Sequence, residues 1–146
     1  MLRKLRRLAD VSPGEWLLLS QLAPCALVVG IALRVTTLPR LTGFISRCAT
    51  HRRLRHFPFF HARHQLTRLA ILADWATRIT LAPSPCLTRS LLLFWLLKAQ
   101  GEPTELFIGI NKETAALHGH AWIETQGQVV SDSPTMTGRF SILLRF

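Results

Sequence analysis

From Ser84 to Gly101 the chain reads SPCLTRSLLLFWLLKAQG, and no other stretch so restricts the folds open to it. Both ends carry helix signals. Ser84 suits an N-cap, and Pro85 suits the first helical position, where its missing N–H would have been unpaired anyway. Lys98 falls in the last turn, and Gly101 can adopt the left-handed conformation just beyond it. From Leu91 to Leu97 the helix is apolar on every side. This predicts a buried central helix wrapped by the rest of the molecule, with its N-terminus emerging at a surface cleft. Cys86 lies in that first turn. There the free N–H groups and the positive end of the helix dipole favour a thiolate, lowering a pKa that starts at about 8.5. The same N–H groups are placed to stabilise an oxyanion.

A histidine and an aspartate follow on what reads as a β-hairpin. Its strands are His118–Glu124 and Gln128–Asp132, joined by Thr125, Gln126 and Gly127. A three-residue loop ending in glycine predicts a type I turn with a G1 bulge, which sets Glu124 opposite Gln128. In that register His120 and Asp132 are cross-strand neighbours on one face, close enough to hydrogen-bond. A carboxylate so placed fixes the imidazole tautomer and stabilises the imidazolium. A slip of one residue would break this pairing. His118 shares the face of His120 and is its rival as a base, but the same register places it opposite Pro134 rather than a carboxylate. Trp122 also shares that face, where it is expected to shield the imidazole or contact a peptide. Arg89, one turn along the helix from Cys86, is expected to be structural or peptide-binding rather than catalytic.

Three stretches together carry a family resemblance: Cys86 to Leu91 (CLTRSL), Phe107 to Ile110 (FIGI), and His118 to Glu124 (HGHAWIE) with the later Asp132. The chain resembles the lasso peptide biosynthesis B protein, in its stand-alone catalytic half. The resemblance is specific from about Ser84 to Asp132, looser to Phe146, and before Ser84 rests only on layout. It implies a transglutaminase-like, papain-type cysteine protease core that removes the leader from a ribosomally made precursor peptide. By position Cys86 matches the nucleophile, His120 the base and Asp132 the orienting acid. The partners it implies are the precursor peptide, a separate leader-recognition protein, and a cyclase of the asparagine-synthetase type that closes the ring. Too little chain precedes the apolar segment for a winged-helix-like recognition domain, hence the expected dependence on a partner. No cofactor or metal ligand set is evident, and nothing in the chain decides whether a nucleotide is needed.

The charge is lopsided. Residues 1–78 hold 13 basic side chains against Asp10, Glu15 and Asp74, whereas residues 79–146 hold 5 basic and 5 acidic. The expected organisation is a basic helical N-terminal region over 1–78, with an apolar helix over 13–33, followed by a catalytic core over 79–146. The basic half should meet something acidic: a peptide, a partner protein, lipid headgroups or nucleic acid. Three cysteines without CxxC spacing argue against a disulfide framework and fit a reducing cytoplasm. Cys25 reads as an inert core thiol, and Cys48, beside Arg47, lacks a helix start or a hairpin histidine.

Ser12, Pro13 and Glu15 form an S-x-x-E start with proline at the first helical position, and the uncharged run that follows reads first as a packed or partner-facing helix. Contact with a membrane surface is the next reading, and a membrane span the last. From Arg34 to Arg68 the chain is rich in arginine and histidine and reads as a solvated basic face or connector. His61 and His64 stand at helical spacing without further metal ligands. Phe57, Pro58, Phe59 and Phe60 mark a hydrophobic turn. No specific nucleic-acid motif is present. Another core helix is expected from Leu66 to Thr80, and strands from Glu105 to Ile110 and Arg139 to Arg145. The whole is an α+β fold: N-terminal helices, then the Cys86 helix packed on a small antiparallel sheet. Two other functions remain open at this level. One is a non-catalytic binding subunit of a peptide-maturation complex. The other is a basic protein of membrane surfaces or nucleic acid, whose affinity would fall steeply with salt.

Overall fold

The computed structural model describes residues 12–51, 65–82, 84–111, 118–130 and 132–146. In order, the elements are α1 (Pro13–Val35), α2 (Leu38–Thr50), α3 (Leu66–Ile79), α4 (Pro85–Ala99), β1 (Thr104–Asn111), β2 (His118–Thr125), β3 (Gln128–Val129), α5 (Pro134–Thr137) and β4 (Ser141–Arg145). The strands form one antiparallel sheet in the order β3-β2-β1-β4. The expected α+β architecture is therefore present, helices first and a small sheet after them.

α4 is the axis of the molecule. Every residue from Ser90 to Leu97 is buried, and α1, α2, α3, β1 and β2 all pack against it. One hydrophobic core joins Leu18, Leu22 and Val29 of α1 and Ile45 of α2 to Leu72 of α3, the α4 side chains, Leu106 and Ile123. The basic N-terminal region and the later half thus share a core. At the far end of α4 a Schellman motif closes the helix. Gly101 takes a φ of +82°, its N–H donates to the Lys98 carbonyl at 3.0 Å, and the Glu102 N–H donates to the Leu97 carbonyl at 2.9 Å. Ser84 occupies the N-cap position, although its side chain makes no capping hydrogen bond.

α1 starts with the expected capping box. The Ser12 N–H donates to Glu15 Oε2 at 2.7 Å and the Glu15 N–H to Ser12 Oγ at 3.3 Å. Glu15 does more than cap: it is buried and accepts both Nε and Nη2 of Arg68, the latter at 3.0 Å, joining α1 to α3. By length and composition α1 could cross a bilayer, with a mean hydropathy of 2.0 over its most apolar window. One face, with Leu18, Leu19, Leu22, Ala26 and Val29, is nevertheless packed in the core, while Trp16, Leu27, Val28 and Ile31 are exposed.

Two expectations need correcting. The stretch read as a connector contains α2, an amphipathic helix that buries Leu41, Thr42, Ile45 and Ala49; His61, His64 and the Phe57–Phe60 turn lie outside the described residues. In the hairpin, the three-residue loop is a two-residue turn. Thr125 stays in the strand opposite Gln128, because it is buried and its hydroxyl donates to the Pro103 carbonyl at 2.9 Å. Gln126 and Gly127 then make the turn with φ of +52° and +74°, the positive pair a type I′ turn requires. The register is one residue from the expected one, and β3 ends after Val129.

The Arg68 guanidinium holds the Glu15 carboxyl down at about 2, from an ordinary 4.5. Because the folded value is depressed, the pair's contribution is fully present above pH 4.5 and is lost as pH falls towards 2. Glu15→Gln should lower the unfolding free energy at neutral pH by about 1 kcal/mol and flatten the acid limb of stability, as read by urea denaturation across pH.

Candidate active site

Cys86 is half-buried in the first turn of α4, on the side facing His120. Its neighbours lower the thiol below its ordinary value. The His120 ring is the largest influence, and the backbone N–H groups of Ala121 and Leu87 add to it against the opposing effect of burial. The Leu87 amide is one of the unpaired donors of the helix start. β2 is fixed to α4 beside the thiol, where the Ser90 hydroxyl donates to the Ala121 carbonyl at 2.9 Å. The strand residue next to His120 is thus tied to the helix one turn from Cys86.

His120 and Asp132 meet in spite of the altered register. His120 Nε2 lies 3.3 Å from Asp132 Oδ2, within ion-pair reach although not aligned as a hydrogen bond. Both side chains are mostly buried. Asp132 first, and Cys86 second, push the imidazole up to about 9 from 6.5. A thiolate and an imidazolium are therefore the paired forms over the interval between the lowered thiol value and about pH 9.

An aromatic cage supports the ring. Trp122 lies parallel to it at 6.3 Å between centroids, and Phe140, just before β4, is tilted at 5.2 Å. Trp122 is fully buried, stacks on Phe107 at 5.6 Å, and donates its Nε1–H to Glu124 at 2.9 Å. It covers one face of the imidazole. Gly109, the partner of His120 on β1, makes the cage possible. A Cβ there would come within 2.9 Å of Phe140 Cβ and 3.0 Å of Trp122 Cζ3.

The Arg89 guanidinium turns inward, and Nη2 donates to both oxygens of Asp132 at 3.1 and 2.9 Å. His118 is exposed at the start of β2, opposite Asn111 of β1, and on the other edge the observed register no longer places Pro134 across from it. Cys25 and Cys48 are half-buried against the core, and burial pushes the Cys25 thiol up. Among the described residues no group of three or more His, Cys, Asp or Glu side chains is arranged as a metal site. Phe140 and the role of Gly109 were missed in the sequence. Gly109 was visible in the Phe107–Ile110 stretch as a glycine inside a strand, which marks a close approach; Phe140 carried no local signal.

The family model described as the transglutaminase-like superfamily matches residues 25–145. Among curated proteins, the chain is similar to the microcin J25-processing protein McjB of Escherichia coli, with 30% identity over 81 residues, 56% of this chain and 36% of McjB. The chain thus spans about a third of that relative's length. No solved structure matches.

Iodoacetamide should alkylate Cys86 well below the pH at which an ordinary thiol reacts. His120→Ala should move the midpoint of that profile upward, as followed by mass spectrometry of the Cys86 peptide. Gly109→Ala should cost about 1–3 kcal/mol in chemical denaturation, because the cage has no room for the added methyl.

Proposed function

Because the chain belongs to the transglutaminase-like superfamily, we propose that it is a cysteine peptidase that removes the leader from a ribosomally synthesised lasso peptide precursor. The observation that carries this reading is the thiol of Cys86 at a helix N-terminus, lowered by the neighbouring His120, whose ring has Asp132 at 3.3 Å. The similarity to a protein named for processing microcin J25 supports a peptide substrate, as does the resemblance of the Cys86, Gly109 and His120 stretches to the lasso B family.

The chemistry follows from the protonation states. The Cys86 thiolate attacks the scissile carbonyl carbon, and the displaced electron pair resides on the carbonyl oxygen near the amides of the α4 start. When the C–N bond breaks, imidazolium His120 gives its proton to the departing amine, which is the new N-terminus of the core peptide. The leader remains as a thioester on Cys86. Neutral His120 then takes a proton from water, the hydroxide adds to the thioester carbonyl, and the thiolate leaves with the leader carboxylate free. Asp132 stabilises the imidazolium in both halves of the cycle. The freed amine would pass to a separate cyclase of the asparagine-synthetase type, and a separate leader-recognition protein would present the precursor.

Incubated with the neighbouring precursor and the leader-binding partner, the wild type should release intact leader and core masses, and Cys86→Ala neither. Release by Cys86→Ala would end the peptidase reading. Release by neither, with both proteins folded, would favour a binding subunit. The rate should rise as Cys86 ionises and fall as His120 loses its proton near pH 9.

A further inference from the structure

Backbone pairing does not place Asp132 beside His120. β3 holds Gln128 and Val129, the Val130 N–H donates to the Ile123 carbonyl at 3.0 Å beyond it, and α5 starts at Pro134. Continued in the observed register, the strand would have set Ser133, not Asp132, opposite His120. The carboxylate nevertheless sits at the imidazole, and the Arg89 side chain reaches it as well. Nη2 meets both carboxylate oxygens, at 3.1 and 2.9 Å. Nη1 lies 3.9 Å from Asp74 Oδ1 on α3, and Asp74 in turn accepts Arg78 Nε at 2.7 Å. The Arg89 side chain is only 16% exposed and that of Asp132 9%, so the pair is little screened by water.

We propose that Arg89 is a positioning residue that holds the Asp132 carboxylate against His120 Nε2 from α4, the helix that carries Cys86. This rests on reading Cys86, His120 and Asp132 as the reactive set. Cys86 and Arg89 are three residues apart and therefore neighbours on one helix face. A guanidinium is well suited to holding a carboxylate, because it stays charged at every working pH and its planar array of donors fixes direction as well as distance. Asp132 Oδ2 faces both cations, Arg89 Nη2 at 2.9 Å and His120 Nε2 at 3.3 Å. Arg89 thus acts through Asp132 and touches no reacting atom.

Among the described residues, the charged and titratable groups around this row come from three elements. α4 contributes Cys86 and Arg89, and α3 contributes Asp74 and Arg78. β2 contributes Glu124, which accepts from Trp122, and the exposed His118. The test is the NMR titration of the His120 Cε1–H, assigned by its loss in His120→Gln, in the wild type, Arg89→Gln, Asp132→Asn and the double variant. Asp132→Asn should lower the His120 midpoint by about one unit or more, as loss of a contacting opposite charge does. Arg89→Gln should lower it in the same direction, and adding it to Asp132→Asn should change it no further. Arg89→Lys, which keeps the charge but loses the fork, should fall between Arg89→Gln and wild type.

An unchanged or raised midpoint in Arg89→Gln would overturn the proposal, since removing a competing cation from a carboxylate that stays in place raises the midpoint. An equal drop in the Asp132→Asn background would overturn it too, because it would mark a general loss of packing. Should circular dichroism show Arg89→Gln unfolded, Arg89→Lys alone decides: a lowered midpoint present only with Asp132 supports the proposal, and any other result overturns it. The titration needs no substrate, so its failure is distinct from a failure of leader cleavage by the wild type.

Discussion

A helix apolar on every side has to be enclosed, and the rest of this molecule is arranged around that requirement. Ser90 to Leu97 are buried without a break, so three helices must cover one part of α4 and the sheet another. Its C-terminus is closed by the Schellman motif at Gly101. The N-terminus is then the end where backbone donors remain for other partners, and Cys86 is there. A buried rod with one open end gives a nucleophile a rigid mount and a favourable field at the same time.

Burial also explains the arrangement of charge at the site. Removing a thiolate, an imidazolium, a carboxylate and a guanidinium from water is costly for each alone, and here each lies between opposite charges. The signs alternate from Arg78 through Asp74, Arg89, Asp132 and His120 to Cys86. The row is neutral overall, and its buried members Arg89, Asp132 and His120 couple over contact distances where salt has little effect.

What was legible in the sequence was local. The ends of α4, the capping box at Ser12 and the alternation of β1 and β2 follow from rules that operate within a few residues, and they placed Cys86 and His120 correctly. α2 was not legible: Pro39 and Gly43 blur the pattern, and its buried stripe of Leu41, Ile45 and Ala49 is thin until α4 supplies the surface it packs on. The turn at Gln126 and Gly127 was misread because Thr125 is kept in the strand by the Pro103 carbonyl, a contact 22 residues away. The expected register was wrong while the contact it was meant to explain is present, since Asp132 meets His120 from outside the ladder. The inward turn of Arg89 depends on Asp132, 43 residues on, and nothing at Arg89 itself announces it.

The short length of β3 has a mechanical consequence. Had Asp132 been a rung of the hairpin, acid and base would have moved as one body, and any flexing of the sheet would have carried them together past the thiol. With the ladder ended at Val129, the acid is referred through Arg89 to the same helix as the sulfur, and the imidazole alone belongs to the sheet. The frame has two fixed points and one adjustable one. A displacement of β2 against α4, opposed by the Ser90 to Ala121 hydrogen bond, would change the distances from His120 to the thiol and the carboxylate while leaving those two in place with respect to each other.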